Sequence, residues 1–63
     1  MQRPRKLKRS EESIVLEALE PARRRRVSHL TGEYGRDPEI WETAESEYLF
    51  RWKVHGVNVE AII

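Results

Sequence analysis

The stretch from Tyr48 to Ile63 constrains the fold of this chain more than any other. Apolar and polar side chains alternate through YLFRWKV and again through VNVEAI. A period of two residues is typical of β-strands that bury one face. His55-Gly56, between the two runs, has the length of a two-residue hairpin loop, although Asn or Asp is more usual than His at its first position. The sequence therefore predicts a C-terminal β-hairpin.

The same stretch also predicts the pairing register of the hairpin. A turn at His55-Gly56 places Arg51 opposite Glu60, an opposite-charge pair that contributes roughly 0.2–1 kcal/mol. A slip of one residue would separate these charges and turn the apolar side chains to solvent. The apolar pairs expected on the other face are Val54 with Val57, Trp52 with Val59, Phe50 with Ala61, and Tyr48 with Ile63.

A helix-turn-helix is the alternative for this region. It would place one helix at 42–54, a turn at 55–57 and a second helix capped by Asn58. A recognition helix that begins at Val59 would have only about five residues, which is too short to cross a major groove. DNA binding through a helix-turn-helix is therefore the third of three functional hypotheses.

The first nine residues contain five cations and no acidic residue. Like charges repel one another and keep a chain extended, and nucleic-acid phosphates are common partners of such runs. We expect residues 1–9 to form a flexible basic arm, with a solubilising tail or a frayed helix start as the alternatives, and residues 10–63 to form one small domain. The cations of the arm are Arg3, Arg5, Lys6, Lys8 and Arg9.

An amphipathic helix is predicted to follow the arm. Ser10 is a suitable N-cap, and Glu11 and Glu12 suit the positive end of the helix dipole. Pro21 either ends this helix near Glu20 or kinks it, and an ending is favoured. Apolar residues at three- and four-residue spacings form the face that would pack on the hairpin: Ile14, Val15, Ala18, Leu19 and Ala22.

The run Arg23–Arg26 is the densest positive charge in the sequence. Four adjacent guanidinium groups cannot all find carboxylates within one helical turn, so several should face solvent, available to phosphates. The acidic segment 33–47 either folds back on these arginines or confines nucleic acid to one side of the molecule.

The middle of the chain is predicted from turn residues and β-propensity. Val27–Tyr34 is rich enough in β-branched and aromatic residues to indicate a short strand that ends near Gly32. Residues 35–38 indicate a loop, and residues 39–44 form either a short strand or a helical turn. The expected fold is α+β, with one N-terminal helix packed on a small antiparallel sheet. Its predicted core is Ile14, Val15, Leu19, Leu30, Phe50, Trp52, Val54, Val57 and Val59.

Length and composition narrow the functional classes. A 63-residue domain buries only about 60% of its unfolded surface, so its stability is marginal. The chain has no cysteine and no long apolar run, and we expect a cytoplasmic protein with no membrane partner. There is no Gly-rich phosphate loop, and two histidines without regularly spaced carboxylates do not form a metal-site pattern. No cofactor or metal is expected.

Enzymatic activity is left open, because no catalytic motif stands out. A metal-independent ribonuclease needs a base for the 2′-hydroxyl, a cation for the developing phosphorane charge and an acid for the leaving oxygen. The residue types present for such chemistry are His29, Glu42, Tyr48, Arg51 and Lys53.

The order of these features, over residues 10–63, resembles the RelE/ParE superfamily of bacterial toxins. Residues that carry the resemblance fall in three groups: Leu30, Gly32 and Tyr34 in HLTGEYG; Trp41 and Glu42 in IWE; and Tyr48, Trp52 and Val54 in EYLFRWKVHG. The resemblance implies a target in RNA or the translation machinery and, as a further partner, an antitoxin. It departs from the family at Leu49, where the ribonuclease branch commonly has Arg, near Ala44, where a basic residue is common, and before Ser10, where a first strand and first helix are expected. RNA cleavage is therefore not expected to be strong.

Our leading hypothesis is a small toxin-like protein that binds RNA or the ribosome through the basic runs, Arg51 and Lys53. The second is a non-catalytic protein-binding module, either a homo-oligomer or a module for a partner chain. Two tryptophans and apolar residues on both faces of the hairpin favour it. Its expected contact residues are Tyr34, Trp41, Leu49 and Ile62.

Overall fold

The computed structural model describes residues 3–63. Its elements are β1 (Arg5–Lys6), α1 (Arg9–Ala18), α2 (Pro21–Tyr34), β2 (Glu39–Ala44), β3 (Glu47–Val54) and β4 (Val57–Ile62). The strands form one antiparallel sheet in the order β1-β2-β3-β4. Both helices contribute side chains to one core on a single face of this sheet. The predicted α+β class is confirmed.

Strands β3 and β4 pair in the register expected from the sequence. Arg51 is opposite Glu60 and Trp52 is opposite Val59. His55 and Gly56 have φ angles of 50° and 79°, and positive φ at both loop positions is the signature of the turn that suits a right-twisted hairpin. The helix-turn-helix alternative is wrong, because residues 42–54 lie in β2, β3 and the turn between them.

Of the two structures expected for residues 39–44, a short strand or a helical turn, the strand is present as β2. Ile40 points into the core and is 1% exposed, whereas Trp41 points to the opposite face. A register shift between Glu42 and Ala44 leads into the turn to β3. Such a bulge bends the strand locally and increases its twist.

The prediction of a single helix is wrong, because the structure has two. α1 ends at Ala18, before Pro21 as favoured, but Pro21 then begins α2. Proline suits the first turn of a helix because its missing N–H would have no partner there and its φ is already helical. The predicted N-cap Ser10 lies inside α1, and the cap is Lys8, whose backbone N–H donates to Glu11 Oε1 at 2.9 Å.

The predicted strand at Val27–Tyr34 is also wrong, because α2 continues through it. Val27, Leu30 and Tyr34 recur at helical spacing and all pack in the core, and this outweighs their β-propensity. Gly32 is exposed, with open space where a side chain would stand. The helix ends at Gly35, whose φ of 72° is the left-handed conformation common after a helix.

Residues 5–7 belong to the domain rather than to a flexible arm. Arg5 and Lys6 pair with Glu42 and Trp41 of β2. Leu7 donates its N–H to the Ile40 carbonyl at 2.9 Å and is 4% exposed. After Met1, Leu7 is the one residue of the basic run with a large apolar side chain. Its presence there was the feature of the sequence that indicated a buried position. The first two residues of the predicted arm, Met1 and Gln2, lie outside the described residues.

The core is centred on the helix-facing side of β3. Ile14 and Val57, both predicted in the core, are 67% and 62% exposed, so these two predictions are wrong. Ile14 lies outside the face of α1 that turns Val15 and Leu16 inward, and Val57 lies at the start of an edge strand. The buried set is Leu7, Leu19, Val27, Ile40, Phe50 and Trp52. No helix formed by residues 3–63 is long and apolar enough to cross a membrane.

Candidate nucleic-acid interface

The four arginines at the start of α2 divide into one structural and three solvent-facing side chains. Arg23 Nη2 donates to the carbonyls of Ser46, at 2.9 Å, and Ile63, at 2.8 Å. Arg24, Arg25 and Arg26 are exposed. Within residues 3–63 their side chains have no ion pair and no hydrogen bond. Successive helix positions point in directions about 100° apart, so only part of such a run can face the sheet.

The acidic segment contacts this run through the Ser46 carbonyl, which accepts from Arg23, and not through its carboxylates. Its carboxylates contact other cations instead: Glu39 lies 3.5 Å from Lys6 Nζ and Glu42 lies 3.6 Å from Arg5 Nη2. In the described part of the chain, no carboxylate forms a salt bridge with Arg23–Arg26. Three guanidinium groups therefore remain available on one helix.

A groove of about 1100 Å³ runs between the two helices and the β1–β2 edge of the sheet. Its floor includes the apolar side chains of Leu7, Leu16, Val27 and Ile40. Lys8, Arg9 and Arg24 line the same groove as cations without a salt bridge to any of residues 3–63. Its anions are Glu12, Asp37 and Glu39, of which Glu39 is paired with Lys6.

The Arg5 side chain, by contrast, forms ion pairs within the domain. Its two terminal nitrogens donate to the two oxygens of Glu11 at 3.2 Å each, and this pairing raises the pKa of the Arg5 guanidinium. The pKa of Glu11 is lowered, first by the hydrogen bond from the Lys8 backbone N–H and then by Arg5. The contact ties the first turn of α1 to strand β1.

Arg51 is also engaged, on the sheet face that the helices leave open. Its Nε donates to Glu60 at 2.7 Å, Glu39 lies 4.0 Å away, and its guanidinium lies 5.2 Å from the centre of the Trp41 ring. Lys53, beyond it on β3, is exposed and opposite Asn58. Of the two hairpin cations predicted to contact a target, only Lys53 has no salt bridge within the described ranges.

Three of the four predicted partner-binding residues form one row across the open face. Leu49 is opposite Trp41 on one side and Ile62 on the other. We call Trp41, Leu49 and Ile62 the open-face row. Tyr34 is not part of it, because its ring packs 5.6 Å from Trp52 on the helix side.

The residue types suited to ribonuclease chemistry do not converge. His29 lies on the surface of α2, where Glu33 is 3.6 Å away. Glu42 and Tyr48 are cross-strand partners on the helix side of the sheet, and Arg51 and Lys53 lie on the open face. No group of three potential metal ligands forms among the residues that the structure describes.

Sequence reasoning missed Arg36. It lines a shallow depression of about 380 Å³ together with Lys53, Arg51 and Asn58, and its neighbours there include Asp37 and Glu39. The residue was overlooked because it lies in an acidic segment, and only the fold brings it beside the hairpin cations.

Comparison with protein-family models, curated proteins and solved structures finds no match to this chain.

Proposed function

We propose that this protein binds RNA as a small toxin-like protein of the RelE/ParE type, without strong catalysis. The contact is made by the basic surface, which we define as Lys8, Arg9, Arg24, Arg25 and Arg26. The observation that carries the proposal is the run of three arginines on α2 with exposed guanidinium groups and no carboxylate partner within residues 3–63.

Phosphates suit this surface on physical grounds. A guanidinium group donates two parallel hydrogen bonds to a phosphate and stays charged at any physiological pH. Each phosphate that a protein neutralises releases counterions, so binding by such a cluster is strongly salt-dependent. Of the other predicted cations, Arg5, Lys6, Arg23 and Arg51 already contact carboxylates or carbonyls. Arg3 precedes β1 and Lys53 lies on the open face, so neither belongs to the basic surface.

The adjoining groove favours flexible RNA over duplex DNA. Its apolar lining includes the half-buried Leu16, which lines it together with the cations Arg9 and Arg24. In a duplex the bases are stacked and cannot enter such a groove, whereas unstacked bases of a single strand or loop can lie on an apolar surface. We therefore expect single-stranded or looped RNA, alone or in the ribosome.

The toxin-like part of the proposal rests on the order of the elements and on the motif residues. A two-residue strand, β1, precedes Ser10, where the family has its first strand and first helix. Leu49 occupies the position after Tyr48 and lies in the open-face row, away from the basic surface. With the acid–base candidates scattered as well, the proposal is limited to binding a cytoplasmic RNA target.

Salt-titrated binding to a short unstructured RNA oligonucleotide tests the proposal. The variant Arg24→Gln, Arg25→Gln, Arg26→Gln removes three charges from the basic surface. Each single-strand phosphate contact contributes about 0.7 to the slope of log K against log salt, so the slope should fall by about 2. Fluorescence anisotropy at several salt concentrations measures it.

The matched control is Arg3→Gln, Arg36→Gln, Lys53→Gln, which removes the same charge from other positions. Its salt slope should stay close to that of the unmodified chain. An equal loss in both variants would show that net charge alone drives binding, and an unmodified chain that fails to bind at low salt would refute the proposal.

A protein-binding module is the second candidate, favoured by the open-face row. Trp41, Leu49 and Ile62 are large apolar residues on three adjacent strands, and Ile62 is 54% exposed. Such rows are common in interfaces with a partner protein, which the toxin resemblance would make an antitoxin. In this case Trp41→Ser should abolish partner binding while RNA affinity is unchanged.

A further inference from the structure

The two edges of the sheet differ in how well they are protected against pairing with another strand. Edge strand β1 has two residues, follows Pro4 and consists of Arg5 and Lys6. Short length, proline and positive charge are the usual devices that prevent edge pairing. Edge strand β4 has six residues and no proline, so it lacks these devices.

The outward backbone groups of β4 can be assigned from its pairing with β3. Tyr48 and Ile63 exchange hydrogen bonds of 3.2 and 2.9 Å. Because bonded and non-bonded pairs alternate along an antiparallel ladder, Ala61, Val59 and Val57 bond to β3. The N–H and C=O groups of Asn58, Glu60 and Ile62 therefore point away from the sheet. Within residues 3–63 these groups neither donate a hydrogen bond to another element nor accept one from it.

The side chains of β4 do not protect this edge either. Glu60 is its one charged residue, and its carboxylate already pairs with Arg51 of the neighbouring strand at 2.7 Å. Val57 and Ile62, on opposite faces of the strand, are the two large exposed apolar residues of the sheet.

We propose that β4 pairs antiparallel with β4 of a second copy of this chain, about a two-fold axis at Val59. In this register Asn58 lies opposite Glu60 of the second copy, so two outward-facing residues meet. The exposed Val57 lies opposite Ala61 of the second copy, on the helix side. The partner is a second copy because β4 is complementary to itself in this register.

Other antiparallel registers that match outward groups are poorer. An axis at Glu60 places the two carboxylates directly opposite each other, which is destabilising. Axes at Val57, Asn58, Ala61 or Ile62 leave one end of β4 unpaired or place Val57 beyond the overlap. The axis at Val59 pairs residues 57–61 and avoids the like-charge contact.

The pairing would place both helical layers on the same side of one continuous sheet. Directly opposite residues share a face, so the axis is perpendicular to the sheet. The two basic surfaces then lie on one side of the dimer. Dimerisation itself does not depend on RNA binding and is tested without RNA.

Sedimentation velocity over a range of concentrations, with the full chain, is the test. We expect a reversible dimer. Asn58→Glu places a like charge opposite Glu60 of the second copy twice per dimer, and should weaken dimerisation roughly 2- to 30-fold. Asn58→Lys should strengthen it by a similar factor.

The stability of the monomer should rank these two variants in the opposite order, because Asn58 lies opposite Lys53 within the same chain. Asn58→Glu should resist urea better than Asn58→Lys, so a loss of dimer in Asn58→Glu cannot be attributed to unfolding. Glu60→Pro removes an outward N–H, which an edge strand tolerates, and should abolish the dimer while circular dichroism is retained.

Three results would overturn the proposal. The first is a monomer at every concentration. The second is a dimer that ignores all three β4 substitutions. The third is a dimer that Trp41→Ser abolishes and Glu60→Pro does not, which would place the contact on the open face.

Discussion

The two faces of the sheet use the same residue type in different ways. Trp52, on the helix side, is 0% exposed, stacks 6.1 Å from Phe50 and donates its indole N–H to Thr31 at 3.3 Å. Trp41, on the open face, donates to Glu39 at 3.3 Å and lies under the Arg51 guanidinium. One tryptophan builds the core, and the other belongs to a layer of charged neighbours. The comparison shows that the contribution of a tryptophan to stability depends on which face of the sheet it occupies.

The largest expected effect is the difference between these two tryptophans. Trp52→Ala should lower the free energy of unfolding by about 3–5 kcal/mol, which is comparable to the total stability expected of so small a domain. Trp41→Ala should cost about 1 kcal/mol, mainly from the lost cation–π contact and partial burial. Urea denaturation followed by circular dichroism measures both, and equal losses would contradict the assignment of the two faces.

A second, smaller difference is expected between Arg23, which binds two backbone carbonyls, and Arg25, which faces solvent. Arg23→Met removes hydrogen bonds from a charged group to the Ser46 and Ile63 carbonyls, and should cost about 1.5–3 kcal/mol. Arg25→Met is the control, because Arg25 is exposed, and should stay within about 0.5 kcal/mol of the unmodified chain. If both variants unfold alike, the division of the arginine run is wrong.

The smallest effect is expected on the open face, at the Arg51–Glu60 pair. A double-mutant cycle with Arg51→Gln and Glu60→Gln should give a coupling energy of roughly 0.2–1 kcal/mol, because both side chains are partly exposed. The coupling should decrease at high salt, since salt screens exposed charges. A salt-independent coupling above this range would mean that the open face is covered in solution, as the protein-binding candidate requires.

The predictions from sequence succeeded where the physical signal was local. The hairpin register follows from alternation on both strands and from the length of the loop at His55-Gly56, all within the last quarter of the chain. The strand at Val27–Tyr34 was wrong because β-branched content is a weak indicator, whereas Val27, Leu30 and Tyr34 at helical spacing reflect how the segment packs. Strand β1 was missed because two residues carry no periodicity, and its pairing partner lies more than thirty residues away.

The candidate site divides in the same way. The sequence identified the cations of the basic surface but missed Arg36 beside the hairpin, and it could not say which cations would be free. That depended on contacts between distant residues, such as Arg23 with Ile63 and Arg5 with Glu42.

By itself, the amino-acid sequence determined the C-terminal hairpin with its register, the α+β class and the presence of a dense positive run. The tertiary structure alone decided that Pro21 begins a second helix, that Leu7 is buried, and that three arginines face solvent while a fourth binds carbonyls. The physical reason is range: backbone periodicity and turn geometry act over a few neighbouring residues, whereas burial and ion pairing depend on which distant segments the fold brings together.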